Sequence, residues 1–182
     1  MFIAQKLKQT NIAEYLIYMW QIEDIIRAAG CDIDKLKSNF ISQYKISDED
    51  KMKLIQWYAD LVEMMHNEGV QEKGHLQINK NVIISLTDLH LELLRSTKEP
   101  FYGAAYYKAL PLIVELRNKN DNTEESELET CFEALYGAML LKLQKKEITS
   151  ETGKALEVIA NFLSLLSNYY EKDRSGELKL DD

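Results

Sequence analysis

Residues that form turns are scarce in this chain, and their scarcity limits the possible folds more than any other feature. The 182 residues include only seven glycines and two prolines. An all-β fold needs frequent tight turns, and glycine and proline form most of them. The segments between these few breakers repeat their apolar residues at helical spacing instead. The sequence therefore predicts an all-α protein.

Capping residues, among them Asp32, Ser47 and Thr149, and helix breakers divide the chain into about seven predicted helices. A loop is expected at 70–78, around Gly74, and Pro111 is expected to kink or split the fifth helix. We predict one helical domain over residues 1–174 and a disordered tail over 175–182. The predicted helices cover about 11–30, 32–44, 47–69, 79–96, 100–118, 122 onward with Asn122 as its cap, and 149–173.

The fifth predicted helix is apolar around most of its circumference. Only Lys108, Pro111 and Glu115 mark a narrow polar side on a helical wheel. A helix that is apolar on nearly all sides is typical of the centre of a fold. We therefore predict a single-domain bundle packed around the helix at about 100–118. The sixth helix has one apolar stripe: Leu128, Phe132, Leu135, Met139 and Leu143. The seventh helix also has one: Ala155, Ile159, Phe162, Leu166, Tyr169 and Tyr170.

Charge and cysteine content exclude several classes of protein. The formal net charge is −8, which argues against binding to nucleic acid or to an anionic membrane. The longest uncharged run, Val158–Tyr170, has thirteen residues, and a transmembrane helix needs about 18. Cys31 and Cys131 have no zinc-ligand spacing, and two isolated thiols fit a reducing compartment. We therefore expect a soluble cytoplasmic protein without a metal or a cofactor.

Two charged residues lie on the apolar face of the first predicted helix. Glu23 and Arg27 are four residues apart, with the glutamate first, which favours an ion pair beside Trp20. Three interpretations are open: a solvated pair at the edge of the apolar face, a buried structural pair, or part of a ligand site.

Two histidines lie inside predicted apolar stripes. His66 continues the third helix's stripe of Met52, Ile55, Ala59 and Val62, and His90 lies within the fourth helix's stripe of Val82, Leu86, Leu89 and Leu93. Hydrogen-bonded core histidines are the default interpretation. Glu63 and His66 match one Glu-x-x-His unit of di-iron bundles, but such sites need two units and further carboxylates.

Arg117 and two tyrosines complete the candidate set. Arg117 lies between apolar positions near the end of the fifth helix, where it can extend to solvent, cap carbonyl groups, pair with Glu23 or bind an anion. Tyr102 and Tyr106 belong to the densest aromatic segment, which suits either core packing or a small-molecule pocket. A single ligand site would combine Trp20, Glu23, Arg27, His66, His90, Tyr102, Tyr106 and Arg117.

Two functional hypotheses follow. The chain has no phosphate-binding loop, dinucleotide fingerprint, zinc-protease motif or nucleophile elbow. This absence favours a non-enzymatic protein-interaction module, with a homodimer or another protein as partner. The alternative is a catalytic or ligand-binding bundle whose Glu/Arg/His site takes a small anion. Whether the protein is an enzyme stays open.

The N-terminal segment resembles a family of small, all-helical bacterial proteins classed as a domain of unknown function. The resemblance extends over the whole chain and implies a stand-alone helical protein of the bacterial cytoplasm. It implies no activity. The residues that carry it are Met1-Phe2-Ile3-Ala4-Gln5-Lys6-Leu7, Asn11-Ile12-Ala13-Glu14-Tyr15 and Tyr18-Met19-Trp20-Gln21-Ile22-Glu23-Asp24.

Overall fold

The structure, a computed structural model, describes residues 1–120 and 125–180. Within these ranges the chain forms eight α-helices and one short 3-10 helix, Ile41–Gln43, and no strand. The predicted all-α class is confirmed, and helices α2 to α8 correspond to the seven predicted ones. The helices are α1 (Phe2–Thr10), α2 (Ile12–Ala28), α3 (Ile33–Asn39), α4 (Asp48–Asn67), α5 (Gln77–Arg95), α6 (Pro100–Asn120), α7 (Glu127–Leu143) and α8 (Ser150–Ser175).

Three of the predicted N-terminal caps are present. The side chains of Asp32, Ser47 and Thr149 accept backbone N–H groups in the first turns of α3, α4 and α8. These bonds satisfy donors that have no partner within the helix. Local sequence therefore determines where these three helices begin.

The helix pattern differs from the prediction at three places. The helix predicted over 32–44 ends at Asn39 and is followed by the 3-10 helix Ile41–Gln43. Residues 2–10 form α1, which has no strong capping signal in the sequence and buries only Ala4. Helix α7 begins at Glu127, where the Ser126 side chain accepts the Glu129 N–H. The predicted cap, Asn122, lies outside the described residues.

Helix α6 is continuous through Pro111, so of the two predicted alternatives, a kink or a split, the split is wrong. Proline removes the hydrogen bond to the carbonyl group four residues earlier, that of Tyr107. Both residues are exposed, so water can satisfy this carbonyl without breaking the helix. The buried stripe of the helix consists of Tyr102, Tyr106, Ala109 and Ile113.

The expectation that α6 is enclosed on nearly all sides is also wrong. Phe101 is 82% exposed, and Tyr107 and Val114 are 65% and 46% exposed. The helix packs against α7 and α8, and it buries one stripe rather than its circumference. Its apolar residues therefore face both the core and the solvent.

Helix α4 buries a face that shares only Val62 with the predicted stripe. Leu54, Tyr58, Leu61 and Met65 are buried beside Val62, whereas Met52 is 68% exposed and His66 is exposed. Both faces of this helix carry apolar residues, but the buried one carries an aromatic side chain, Tyr58, and the predicted stripe carries none. Burial of large apolar and aromatic side chains stabilises a fold most, which accounts for this choice.

The chain divides into two compact units. The first contains Met1–Gln9 and Glu14–Asn81, and the second contains Thr10–Ala13 and Val82–Asp182. In the first unit, α3 packs against α4, and both contact the 3-10 helix. In the second unit, α6, α7 and α8 pack against one another in pairs. The single domain over 1–174 stays a prediction. Helix α8 ends at Ser175 and is followed by Gly176, whose backbone has a left-handed conformation.

Candidate functional site

The eight predicted site residues belong to two units of the structure. Trp20, Glu23, Arg27 and His66 lie in the first unit. His90, Tyr102, Tyr106 and Arg117 lie in the second. Each group forms its own set of contacts, which are described in turn.

The Glu23 carboxylate is completely buried and accepts three hydrogen bonds. Its Oε1 atom accepts the Leu76 N–H at 2.9 Å and Asn79 Nδ2 at 2.7 Å. Its Oε2 atom lies 2.6 Å from His75 Nδ1. Glu23 is 0% exposed, so the solvated-edge interpretation is wrong. The predicted pairing with Arg27 is replaced by contacts with residues more than 50 positions away.

His75 is the functional-site residue that the sequence analysis missed. Since carboxylate oxygens accept hydrogen bonds, we assign the hydrogen of this contact to Nδ1 of the imidazole, which then donates to Glu23. The imidazole stacks on the buried Trp20 ring, with the centroids 4.1 Å apart and the planes 12° apart. His75 lies in a loop without helical periodicity, so no pattern in the sequence could connect it with Trp20 or Glu23.

Arg27 binds the same loop one helical turn further along α2. Its Nε and Nη2 atoms donate to the Val70 carbonyl at 3.3 Å, and Nη2 also donates to the Gly74 carbonyl. Its Nη1 atom forms an ion pair with Asp24 at 2.8 Å. Glu23 and Arg27 together hold the segment from Val70 to Leu76 against α2, which is a structural use of both charges.

His66 does not lie in the core. It is exposed, and its Nε2 atom is 3.4 Å from the Cys31 carbonyl oxygen, while Nδ1 accepts from Gln71 Nε2 at 3.1 Å. The predicted inner position is wrong because α4 buries the neighbouring face. Across the described residues, no group of three or more His, Cys, Asp or Glu side chains could hold a metal ion.

His90 lies in an aromatic core within the second unit. Its Nδ1 atom is 2.6 Å from the Tyr102 hydroxyl, and its ring contacts Tyr106 and Phe162 edge to face. Burial lowers the pKa of His90, which keeps the imidazole neutral, and burial raises the pKa of Tyr102. The His90 imidazole and the Tyr102 hydroxyl form a hydrogen bond with each other inside the core, which agrees with the default interpretation of a hydrogen-bonded core histidine.

The remaining two predicted residues connect α6 to the start of α7. The Tyr106 hydroxyl donates to Glu127 Oε2 at 2.8 Å. Arg117 Nη2 donates to the Glu125 carbonyl at 2.9 Å, so this guanidinium binds a backbone carbonyl, one of the predicted alternatives. Both contacts hold two neighbouring helices together.

The largest exposed apolar surface of α6 lies opposite its buried stripe. We call it the α6 outer face, and every one of its members is exposed. Three of them are large apolar side chains: Phe101, Tyr107 and Val114. The face comprises Phe101, Ala104, Tyr107, Lys108, Pro111, Val114, Glu115 and Asn118.

A second weakly covered apolar region lies in α7. The eight uncharged residues from Ala134 to Leu141 are all half-buried or exposed, and Leu143 is exposed too. A groove of about 560 Å³ separates this part of α7 from α8, with Leu135, Met139 and Leu156 in its lining. The predicted apolar stripe of this helix is therefore buried only at Leu128 and Phe132.

Comparison with known proteins identifies the family. A family model described as a domain of unknown function, DUF4924, matches residues 1–177. The chain belongs to the DUF4924 family. No curated protein and no solved structure matches this DUF4924 chain. Among its described residues, no helix has the length and apolar character required to cross a membrane.

Proposed function

We propose that this protein is a non-enzymatic, homodimeric interaction module of the cytosol, and that two copies associate through the α6 outer face. The observation that carries this proposal is the exposure of Tyr107 and Val114 in one row of a helix whose other side is buried, with Phe101 exposed at the opposite edge of the same outer face. Several exposed large apolar side chains on one helix face are typical of an interaction surface, whereas single ones are not.

The composition of the outer face supports association with a protein. Aromatic side chains supply much of the binding energy at protein interfaces, and the face presents a phenylalanine and a tyrosine. Most soluble homo-oligomers are two-fold dimers in which the same patch on each copy makes the contact. In such a dimer one self-complementary helix face supplies both halves of the contact.

The polar clusters support a non-enzymatic role. Glu23 and Arg27 hold a loop, and His90 and Tyr102 bind each other in a core. These polar side chains form hydrogen bonds with other residues of the same chain. Both cysteines are buried free thiols, which supports a reducing compartment.

Sedimentation velocity over a range of protein concentrations tests the proposal. We expect a dimer for the wild type and a monomer for Tyr107→Glu, because burying a carboxylate in an apolar interface is unfavourable. Met52→Glu is the matched control, since Met52 on α4 is 68% exposed and Tyr107 is 65% exposed. This control is expected to stay dimeric, with circular dichroism showing intact helices in both variants.

Two outcomes would overturn the proposal. The first is a wild type that stays monomeric up to high micromolar concentration. The second is a dimer that survives Tyr107→Glu but dissociates in Leu141→Glu, which would place the interface on α7 instead. The Leu141 variant is therefore measured beside the other two.

A further inference from the structure

We infer that the two α6 helices pair antiparallel about a two-fold axis, with Lys108 of each copy facing Glu115 of the second copy. This inference rests on the proposed homodimer and specifies its geometry. It comes from the arrangement of three rows of residues on the α6 outer face. Within each row, exposed residues recur every seven positions, about two helical turns.

The rows have the pattern of one side of a coiled coil. Ala104, Pro111 and Asn118 form the central row, and Tyr107 and Val114 form the apolar row beside it. Phe101, Lys108 and Glu115 form the row along the other edge, which we call the charged row because it carries both charges of the face. Apolar positions at alternating spacings of three and four residues pack against a partner helix, and flanking charges determine its orientation.

The charged row distinguishes the two possible orientations. In a parallel pair, this row would face the opposite edge of the partner helix, where Gly103 and Leu110 carry no charge. In an antiparallel two-fold pair, the row faces itself with its direction reversed. Lys108 then meets Glu115 twice, once on each side of the axis. Electrostatic complementarity therefore favours the antiparallel pair.

The same two-fold axis also places the apolar rows of the two copies against each other. When Lys108 lies level with Glu115 of the second copy, the axis passes between Pro111 and Leu112. Tyr107 then lies about 3 Å along the helix axis from Val114 of the second copy, which is within contact range of the two side chains. The short side chain of Ala104 and the compact ring of Pro111 on the central row allow the helices to approach closely.

Charge reversal tests the pairing. Lys108→Glu places two carboxylates together at both contacts of a homodimer, and Glu115→Lys creates two lysine pairs in the same way. We expect each variant alone to dimerise about tenfold or more weakly than the wild type, because like charges meet at both ends. An equimolar mixture restores both opposite-charge contacts, so the two variants are expected to form a heterodimer of wild-type affinity.

The heterodimer is detected by native mass spectrometry with one variant isotope-labelled, and affinities come from sedimentation. Lys80→Glu on α5 is the control for a change in net charge and is expected to leave dimerisation unchanged. Unchanged affinity of both single variants, or a mixture that stays as weak as its components, would overturn the antiparallel pairing. If Tyr107→Glu still abolishes the dimer in that case, the proposed function stands and only its geometry is wrong.

Discussion

Replacement of Glu23 by glutamine tests whether this carboxylate holds the loop between α4 and α5. Glutamine keeps the volume of the side chain and one acceptor oxygen, which can retain the Leu76 N–H and Asn79 contacts. Its NH₂ group would point at His75 Nδ1, which can accept this hydrogen bond only when the imidazole carries its hydrogen on Nε2. The variant therefore replaces three hydrogen bonds to a carboxylate by weaker hydrogen bonds to a neutral amide and requires the other tautomer of His75.

The expected cost follows from the burial of this contact. A hydrogen bond to a charged group contributes about 1.5–3 kcal/mol and a neutral one about 0.5–1.5 kcal/mol, so each of the three contacts loses about 1 kcal/mol or more. Part of this cost is relieved when His75, which is 22% exposed at its side chain, turns towards water. We therefore expect Glu23→Gln to lower the free energy of unfolding by about 2–4 kcal/mol. This is a large share of the roughly 5–15 kcal/mol typical of a folded domain.

Urea unfolding followed by tryptophan fluorescence measures this change, because Trp20 and Trp57 both lie in the first unit. Glu63→Gln is the matched control, since Glu63 is an exposed glutamate on α4 of the same unit. Surface substitutions of this kind change stability by about 0.5 kcal/mol or less. A loss below about 1 kcal/mol in Glu23→Gln would refute the view that the buried carboxylate anchors the loop.

Two further predictions concern the loop and α7. Arg27→Lys removes the forked guanidinium contacts with the loop, so we expect amide hydrogen exchange over Val70–Gly74 to accelerate about tenfold. An unchanged exchange rate would contradict the role of Arg27 in holding this loop. Burial and the nearby Glu125 and Glu129 raise the pKa of Glu133 to about 7. Its protonated form is favoured in the folded state, so this contribution to stability is complete below about pH 4.5 and is lost as the pH rises through 7. The urea midpoint of the wild type is expected to fall between about pH 5 and about pH 8 by more than that of Glu133→Gln. An equal fall in both proteins would contradict the raised pKa of Glu133.

Local patterns predicted the helical class and much of the helix placement. The caps Asp32, Ser47 and Thr149 act within their own first turns, so their neighbours in sequence are sufficient to identify them. The buried stripes of α5 and α8 were also predictable, because each helix has one dominant apolar face. Leu86 and Leu89 on α5, and Phe162 and Leu166 on α8, are all buried.

The candidate site depended on contacts between distant segments. Glu23 is bound by residues 52 to 56 positions away in the sequence, and His75 lies in a loop with no periodic pattern. A helical wheel places Glu23 on an apolar face, but it cannot show which groups from elsewhere in the chain satisfy the carboxylate.

The sequence by itself determined that the chain is helical and where most helices begin, since caps, breakers and apolar periodicity act over a few residues. Tertiary structure alone decided which of two apolar faces α4 buries, which partners Glu23 and Arg27 bind, and that α6 leaves Phe101 and Tyr107 exposed. The physical reason is that burial depends on competition among all the apolar surfaces of a unit. A helix with more apolar surface than its neighbours can cover must expose the remainder, and only the packed structure shows which part that is.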